Sequence, residues 1–178
     1  GLSEIVPWVL DGKTVGHVDT RGKPGLGFER VTAQDGPHRF EVVSGKGISR
    51  IAGVALERDV PGFVIDTFGV GSMNTKSLGR HDAEVFKAMM AERKYDLVVF
   101  QTGANDITTM DSVPETMHKV LGWCRAALPR ASFLMLTPPD RGLRKPLVHT
   151  QRVAEQRREV SKTENTALWD QFEAMGGA

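Results

Sequence analysis

The sequence predicts an α/β fold, with a parallel sheet built from strand–helix units and a small β-rich module before it. From residue 63 onward, short apolar segments alternate with segments of helical periodicity, the arrangement that produces βαβ units and a parallel sheet. Before residue 61, β-prone runs recur roughly every 8–12 residues between glycine-rich turns, without helical periodicity. Such spacing is typical of a sandwich or jelly roll.

These patterns divide the 178 residues at Pro61-Gly62 into a β-rich module, residues 1–60, and an α/β domain, residues 61–178. Asp11-Gly12, between two short β-prone runs, predicts a tight hairpin. The module's predicted strands are residues 5–10, 14–20, 27–32, 39–43 and 49–57. The domain's predicted strands are residues 63–68, 97–102, 132–136 and 166–169, and its predicted helices are residues 80–93, 113–128, 148–161 and 171–175.

The most apolar of these strands, from Leu97 to Phe100, leads into Gly103-Ala104-Asn105-Asp106. A continuous apolar run of this length predicts a strand buried on both faces of a parallel sheet. Ligands of open α/β sheets bind outside the carboxyl ends of the strands, which is where Asn105 and Asp106 would lie. Taken alone, the same residues also fit a polar turn that caps a strand.

Composition and spacing exclude several classes of site. The net charge of +1, from 23 basic and 22 acidic residues, gives no reason to expect a nucleic-acid partner. No apolar run approaches the roughly 18 residues that insert into a membrane. The five histidines are scattered and Cys124 is the single cysteine, so no metal site and no disulfide are predicted, and Cys124 is expected to be a buried thiol. No phosphate-binding loop is present, and no cofactor is expected.

Two loops remain as a candidate site, the glycine loop (residues 69–74) and the asparagine loop (residues 103–106). If residues 63–68 and 97–102 are consecutive parallel strands, both loops open at the same edge of the sheet. Together they offer a backbone N–H at a small residue, Gly71, and the side-chain amide of Asn105. Preorganised donors of this kind form an oxyanion hole, which stabilises negative charge that develops on a carbonyl oxygen.

Gly103-Ala104-Asn105-Asp106 resembles the Gly-x-Asn-Asp block of the SGNH, or GDSL-type, hydrolases, and Gly71 fits the glycine of the preceding block. Residues 134–140 and 167–177 are similar to the family's later segments, so the resemblance covers nearly all of the chain. The β-rich start resembles the peptidoglycan O-acetylesterase-like branch, in which a carbohydrate-binding-like sandwich is inserted after the first strand.

The resemblance implies a flavodoxin-like, three-layer parallel sheet and an esterase that deacetylates a carbohydrate such as a cell-wall polysaccharide. Gly71 and Asn105 would be the oxyanion donors, and Asp106 would brace the asparagine loop. The implied partner is an acylated carbohydrate, with no cofactor and no metal. A cell-wall substrate further implies an extracytoplasmic location, either periplasmic or secreted.

The chain departs from the family by lacking both the upstream Gly-Asp-Ser block that carries the nucleophile and the Asp-x-x-His block near the C-terminus that carries the base. It therefore resembles an interior portion of such an enzyme, whose N- and C-terminal portions would be its partners. We expect the 178 residues alone to be inactive. The family's strand order, 2-1-3-4-5, further predicts a gap between residues 63–68 and 97–102, filled by a strand from outside the chain.

Two other functions are compatible with the sequence. One is a non-catalytic carbohydrate-binding module on an SGNH-like scaffold, with Trp8, Phe28 and Phe40 as candidate stacking residues, although rings of this size are more typical of the core of a small sandwich. The other is an unrelated flavodoxin-like domain, which would require the asparagine loop to face away from the glycine loop.

Overall fold

The computed structural model of the chain describes residues 5–21, 25–43, 47–140 and 148–177. They group into two units, Gly1–Asp66 and Thr67–Ala178. Among the residues described, no helix is both long and apolar enough to cross a bilayer. The mixed α/β architecture that the sequence predicts is present, with an antiparallel sheet in the first unit and a parallel sheet in the second.

The first unit contains a three-stranded antiparallel sheet of β1 (Ile5–Leu10), β2 (Lys13–Asp19) and β3 (Phe40–Val42), in the order β2-β1-β3. The predicted hairpin is confirmed, since Leu10 pairs with Lys13 across the turn. Asp11 and Gly12 have φ angles of 50° and 77°, and two consecutive positive values define the type I′ turn that matches strand twist. Glycine adopts this conformation without steric cost.

Asp11 also ties β3 to the hairpin. Its carboxylate accepts hydrogen bonds from the backbone N–H of Arg39 and from Nδ1 of His38, both at 2.8 Å. These two bonds, the one from Arg39 first, hold the pKa of Asp11 below its ordinary value. Trp8 and Phe40 pack edge to face with their ring centroids 5.7 Å apart, so part of the aromatic surface lies between β1 and β3.

The predicted sandwich or jelly roll is not confirmed in the first unit. Residues 27–32 and 49–57, predicted as strands, form no strand, and the strands described make a single sheet. A β-prone sequence becomes a strand only when another strand satisfies its backbone groups. Phe28 is 49% exposed and Leu56 is 81% exposed, which is consistent with segments that bury little side-chain surface.

The second unit contains the predicted parallel sheet, in the order β4-β5-β6. Four predicted helices and three predicted strands are confirmed within a few residues of their expected bounds, and α1 and a 3₁₀ turn at Met110–Ser112 are additional. The elements are α1 (Thr75–Leu78), α2 (Ala83–Arg93), β4 (Leu97–Phe100), α3 (Val113–Ala127), β5 (Ser132–Leu136), α4 (Val148–Thr163), β6 (Ala167–Trp169) and α5 (Gln171–Ala174).

Helix α3 is the centre of the core and packs against α1, α2 and α4. Its apolar face is fully buried and comprises Val113, Met117, Val120, Leu121 and Cys124. Each buried aliphatic side chain of this kind contributes about 1.5–3 kcal/mol relative to exposure. The expectation for Cys124 is confirmed, because the thiol is buried and burial raises its pKa to about 12, which makes it a poor nucleophile.

Two expectations for the sheet are wrong. Residues 63–68 form no strand, and the Phe63 side chain is fully exposed. Strand β4 is not buried on both faces, since Leu97 and Val99 are 53% and 47% exposed. The reason is that the helices described cover the opposite face, where Val98 and Phe100 join the core.

Strand β4 lies at the edge of the sheet. It pairs with β5, and no other strand among the described residues pairs with it. Pairing between β4 and residues 63–68 would have contradicted the strand order that the family resemblance implies. No such pairing is present. An unpaired, apolar edge strand exposes a row of backbone donors and acceptors.

The start of α3 also differs from expectation. Ser112 and Glu115 have the spacing of a capping box, with Pro114 in the first turn. Pro114 does lie in the first turn, but the Ser112 hydroxyl donates to the carbonyl of Thr109 at 2.8 Å instead of capping the helix. The preceding 3₁₀ turn offers a nearer acceptor, and a local hydrogen bond of this kind competes with a cap.

Glu164 links the end of α4 to α3, and its contacts predict that the stability of the fold decreases in acid. Its carboxylate pairs with Nδ1 of His118 at 2.5 Å and with the guanidinium of Arg125, and these contacts, the His118 bond first, hold the pKa of Glu164 below its ordinary value of 4.5. A carboxyl group whose pKa is lower in the folded state stabilises that state when the pH is above its ordinary pKa. This stabilisation is lost as the pH falls through the folded-state pKa.

We expect Glu164→Gln to lower the free energy of unfolding by about 1 kcal/mol near neutral pH and to leave it unchanged in strong acid. Thermal unfolding between pH 7 and pH 3 measures this, and an equal cost at both pH values would contradict it.

Candidate functional site

The asparagine loop and the glycine loop are in direct contact. The side-chain amide of Asn105 donates a hydrogen bond from Nδ2 to the backbone carbonyl of Met73 at 3.1 Å. This bond joins residues that are 32 positions apart in the chain. The contact is opposite to what an unrelated flavodoxin-like domain requires, namely loops that face away from each other.

The glycine loop presents Gly71 at the surface. Residues Val70 to Met73 form a turn, closed by a hydrogen bond from the Met73 N–H to the Val70 carbonyl at 3.1 Å. Ser72 has a φ of 62°, which an L-residue rarely adopts. Gly71 is exposed, and no atom would lie within 4 Å of a β-carbon there. Met73 donates the turn's hydrogen bond, so closing the turn does not use the Gly71 N–H.

Asp106, at the end of the asparagine loop, connects that loop to the residue that follows the glycine loop. Its side chain is fully buried, and it accepts hydrogen bonds from the backbone N–H of Thr75 at 2.9 Å and from the Thr75 hydroxyl at 2.5 Å. The hydroxyl of Thr109 donates to the same carboxylate at 2.9 Å. Thr75 directly follows the glycine loop, so the position of that loop depends on Asp106. A buried carboxylate is stable here because several donors replace its water.

Arg157 of α4 completes this network. Its guanidinium donates from Nη2 to the hydroxyl of Thr75 at 2.9 Å and to the hydroxyl of Thr102, and from Nη1 to the sulfur of Met117 at 2.8 Å. The side chain is fully buried, and burial lowers its pKa to about 10, although the charge of Asp106 opposes that shift. Arg157 is therefore still protonated at neutral pH. We call Thr75, Thr102, Asp106 and Arg157 the buried polar cluster.

The structure brings together the three residues that the sequence proposed, with Asn105 and Gly71 in contacting loops and Asp106 below them. That both donors reach a single oxygen atom stays a prediction. Sequence reasoning missed Thr75, Thr102 and Arg157. A signal for Arg157 was present, because it lies in helical register with Val153 and Val160 on the apolar face of α4, where a charge is unexpected.

The two loops can donate hydrogen bonds to a negative charge that develops on a bound group. Among the residues that the structure describes, no three His, Cys, Asp or Glu side chains are grouped in a way that could hold a metal ion. The donors are a backbone N–H and a side-chain amide, both neutral, and the nearby buried charges pair with each other through the hydroxyl of Thr75. Neutral, fixed donors of this kind are the components of an oxyanion hole.

Comparison with known proteins leaves the family open. No model of a known protein family matches the chain, and no curated protein matches it. Solved structures that resemble it include one described as a peptidoglycan O-acetylesterase in action, with 22% identical residues and a TM-score of 0.47. The match covers 51% of this chain and 29% of that one, so the matched part spans less than a third of that protein. A similarity at this level establishes neither family nor activity.

Proposed function

We propose that this chain carries the oxyanion-binding part of an SGNH-type serine esterase that removes acetyl groups from a carbohydrate such as a cell-wall polysaccharide. The supporting observation is the contact between the two loops, in which the amide of Asn105 donates to the carbonyl of Met73, two residues after the exposed Gly71. In this proposal residues 61–178 are part of the hydrolase domain and residues 1–60 are a carbohydrate-binding-like module. A cell-wall substrate would place the reaction in the periplasm or outside the cell.

In the proposed reaction, the hydroxyl oxygen of a serine outside this chain attacks the ester carbonyl, and a histidine outside it takes the hydroxyl proton. The carbonyl oxygen gains the negative charge, which the Gly71 N–H and the Asn105 amide bind. The histidine then returns the proton to the departing sugar oxygen, which leaves an acetyl-serine. Water hydrolyses this intermediate by the same two steps, releasing acetate and restoring the serine.

The missing catalytic groups would come from N- and C-terminal portions of the same protein. The feature that supports this proposal is β4, which pairs on one side only within the described part of the chain. Its other edge and the half-exposed Leu97 and Val99 offer an added strand both backbone pairing and apolar contact. A further strand alongside β4 would take the central position that the flavodoxin-like strand order places next to it.

The test compares this chain with the complete natural protein that contains it. We expect the 178 residues alone not to hydrolyse an aryl acetate, and the complete protein to release acetate from an O-acetylated polysaccharide. In the complete protein Asn105→Ala should lower kcat roughly 10²–10³-fold, because one oxyanion donor is lost. A complete protein without Gly-Asp-Ser and Asp-x-x-His blocks, or an Asn105→Ala variant with unchanged kcat, would contradict the proposal. Activity of the short chain that Asn105→Ala abolishes would show that the nucleophile lies within it.

A second candidate, carbohydrate binding without catalysis, is favoured by the aromatic residues of the first unit. Trp8 and Phe40 are half-buried neighbours and Phe28 is 49% exposed, so ring surface remains that could stack on a sugar. Titration of the chain with the deacetylated and acetylated polysaccharide, followed by tryptophan fluorescence, separates the candidates. Binding without any acetate release by the complete protein favours the binding module.

A further inference from the structure

We infer that Arg157 is a positioning residue, which holds the glycine loop and the asparagine loop in register through the buried polar cluster. Its guanidinium bridges the hydroxyls of Thr75, directly after the glycine loop, and Thr102, directly before the asparagine loop. Through Thr75 it also reaches Asp106, because the Thr75 hydroxyl accepts from Arg157 and donates to the carboxylate at 2.5 Å. One side chain from α4 therefore connects both loops at once.

The environment of Arg157 argues that it does more than pack. The side chain is fully buried beside Met117, Val153 and Val160 of the apolar core, where an aliphatic residue would avoid the loss of hydration. Its Nε, which is also buried, has no hydrogen-bond partner among the described residues. A buried charge that is incompletely satisfied reduces stability. What this guanidinium provides, and an aliphatic side chain cannot, is a fixed pair of donors aimed at the two threonine hydroxyls.

Thr75 makes the connection directional. Because its hydroxyl proton points at Asp106, its lone pairs face Arg157, and the backbone N–H of the same residue donates to Asp106 at 2.9 Å. Movement of Arg157 would release this hydroxyl and weaken the hold of Asp106 on the backbone of Thr75. The Met73 carbonyl that receives the Asn105 amide is two residues earlier, so the donor geometry depends on the same contacts. The connection itself is independent of catalysis, whereas its importance for the oxyanion donors rests on the proposed function.

The test is amide hydrogen exchange by NMR on the full 178-residue chain, read at the Thr75 N–H, together with the side-chain amide resonances of Asn105. We expect Arg157→Met to accelerate exchange at Thr75 roughly 10–100-fold, the effect of losing a hydrogen bond to a charged group, and to shift the Asn105 resonances. Exchange at Leu121 in the middle of α3 should change much less. Arg157→Lys, which keeps the charge and a donor nitrogen but not the planar fork of the guanidinium, should give a smaller effect.

Arg158→Met is the matched control. Arg158 is the next residue of α4, but its guanidinium pairs with Asp170 at 2.7 Å, so its loss should leave Thr75 and Asn105 unchanged. If Arg157→Met does not fold, Thr102→Val removes one acceptor of the guanidinium at constant shape, and Thr102→Ser restores it. We expect faster exchange at Thr75 in the valine variant and recovery in the serine variant.

Unchanged exchange at Thr75 in folded Arg157→Met, or in Thr102→Val if the first variant does not fold, would overturn the inference. Acceleration of Leu121 by the same factor as Thr75 would also overturn it, because the role would then be general stability. Neither readout involves ester hydrolysis. A complete protein without esterase activity therefore leaves this result standing, and a failed exchange test leaves the esterase proposal standing.

Discussion

Replacing Asp106 by alanine is expected to lower the free energy of unfolding by about 3–5 kcal/mol. The carboxylate is fully buried and accepts three hydrogen bonds, two from Thr75 and one from Thr109. Alanine leaves those donors without acceptors and leaves the buried charge of Arg157 without its counter-charge. Both consequences cost free energy because water cannot reach the site. Chemical denaturation of wild type and variant, followed by far-UV circular dichroism, measures the difference.

Asp111→Ala is the control for this prediction. Asp111 lies five residues further along the chain and also pairs with an arginine, Arg152 at 2.5 Å, but its side chain is 81% exposed. A surface ion pair contributes about 0–1 kcal/mol, so this variant should unfold almost as wild type does. A third variant, Asp106→Asn, keeps the shape and some acceptor capacity and should fall between the two. Equal free energies for Asp106→Ala and Asp111→Ala would refute the role assigned to the buried polar cluster.

Replacing Gly103 by alanine is the second large effect we expect, again about 3–5 kcal/mol of lost stability. Gly103 begins the asparagine loop with a φ of 126°, a conformation that only glycine adopts readily. A β-carbon there would also lie 3.2 Å from Cβ of Pro138 and 3.3 Å from Cγ1 of Val153. The backbone strain and the crowding add to each other, because a shift of the loop that relieves one disturbs the Asp106 contacts.

Gly122→Ala provides a comparison of opposite sign. Gly122 lies on the exposed side of α3, and no atom would be within 4 Å of a β-carbon at that position. Alanine should therefore stabilise the helix, by roughly 0.5–1 kcal/mol. The two substitutions add the same methyl group, so thermal melts of both variants isolate the effect of position. A Gly103→Ala variant as stable as wild type would contradict the geometry of the asparagine loop, and a destabilised Gly122→Ala would contradict the open position of Gly122 on α3.

The regular elements of the α/β unit and the hairpin turn of the first unit could be predicted from sequence because their signals are local. The apolar run at Leu97 to Phe100, the helical periodicity of α3 and the Asp11-Gly12 turn each depend on residues close together in the chain. Strands that depend on distant partners were predicted less well. Residues 27–32, 49–57 and 63–68 have β-prone composition, but no strand among the described residues pairs with them.

The sequence by itself determined the parallel sheet, the helices that connect its strands, and the pairing of a glycine loop with a Gly-x-Asn-Asp segment as the candidate site. Only the tertiary structure decided that β4 is an edge strand with one exposed face, that Asn105 bonds to Met73, and that Arg157 lies beneath both loops. The physical reason is separation along the chain. Arg157 meets Thr75 across 82 positions, and a contact of that range is set by how α4 packs on the core, which no local pattern contains.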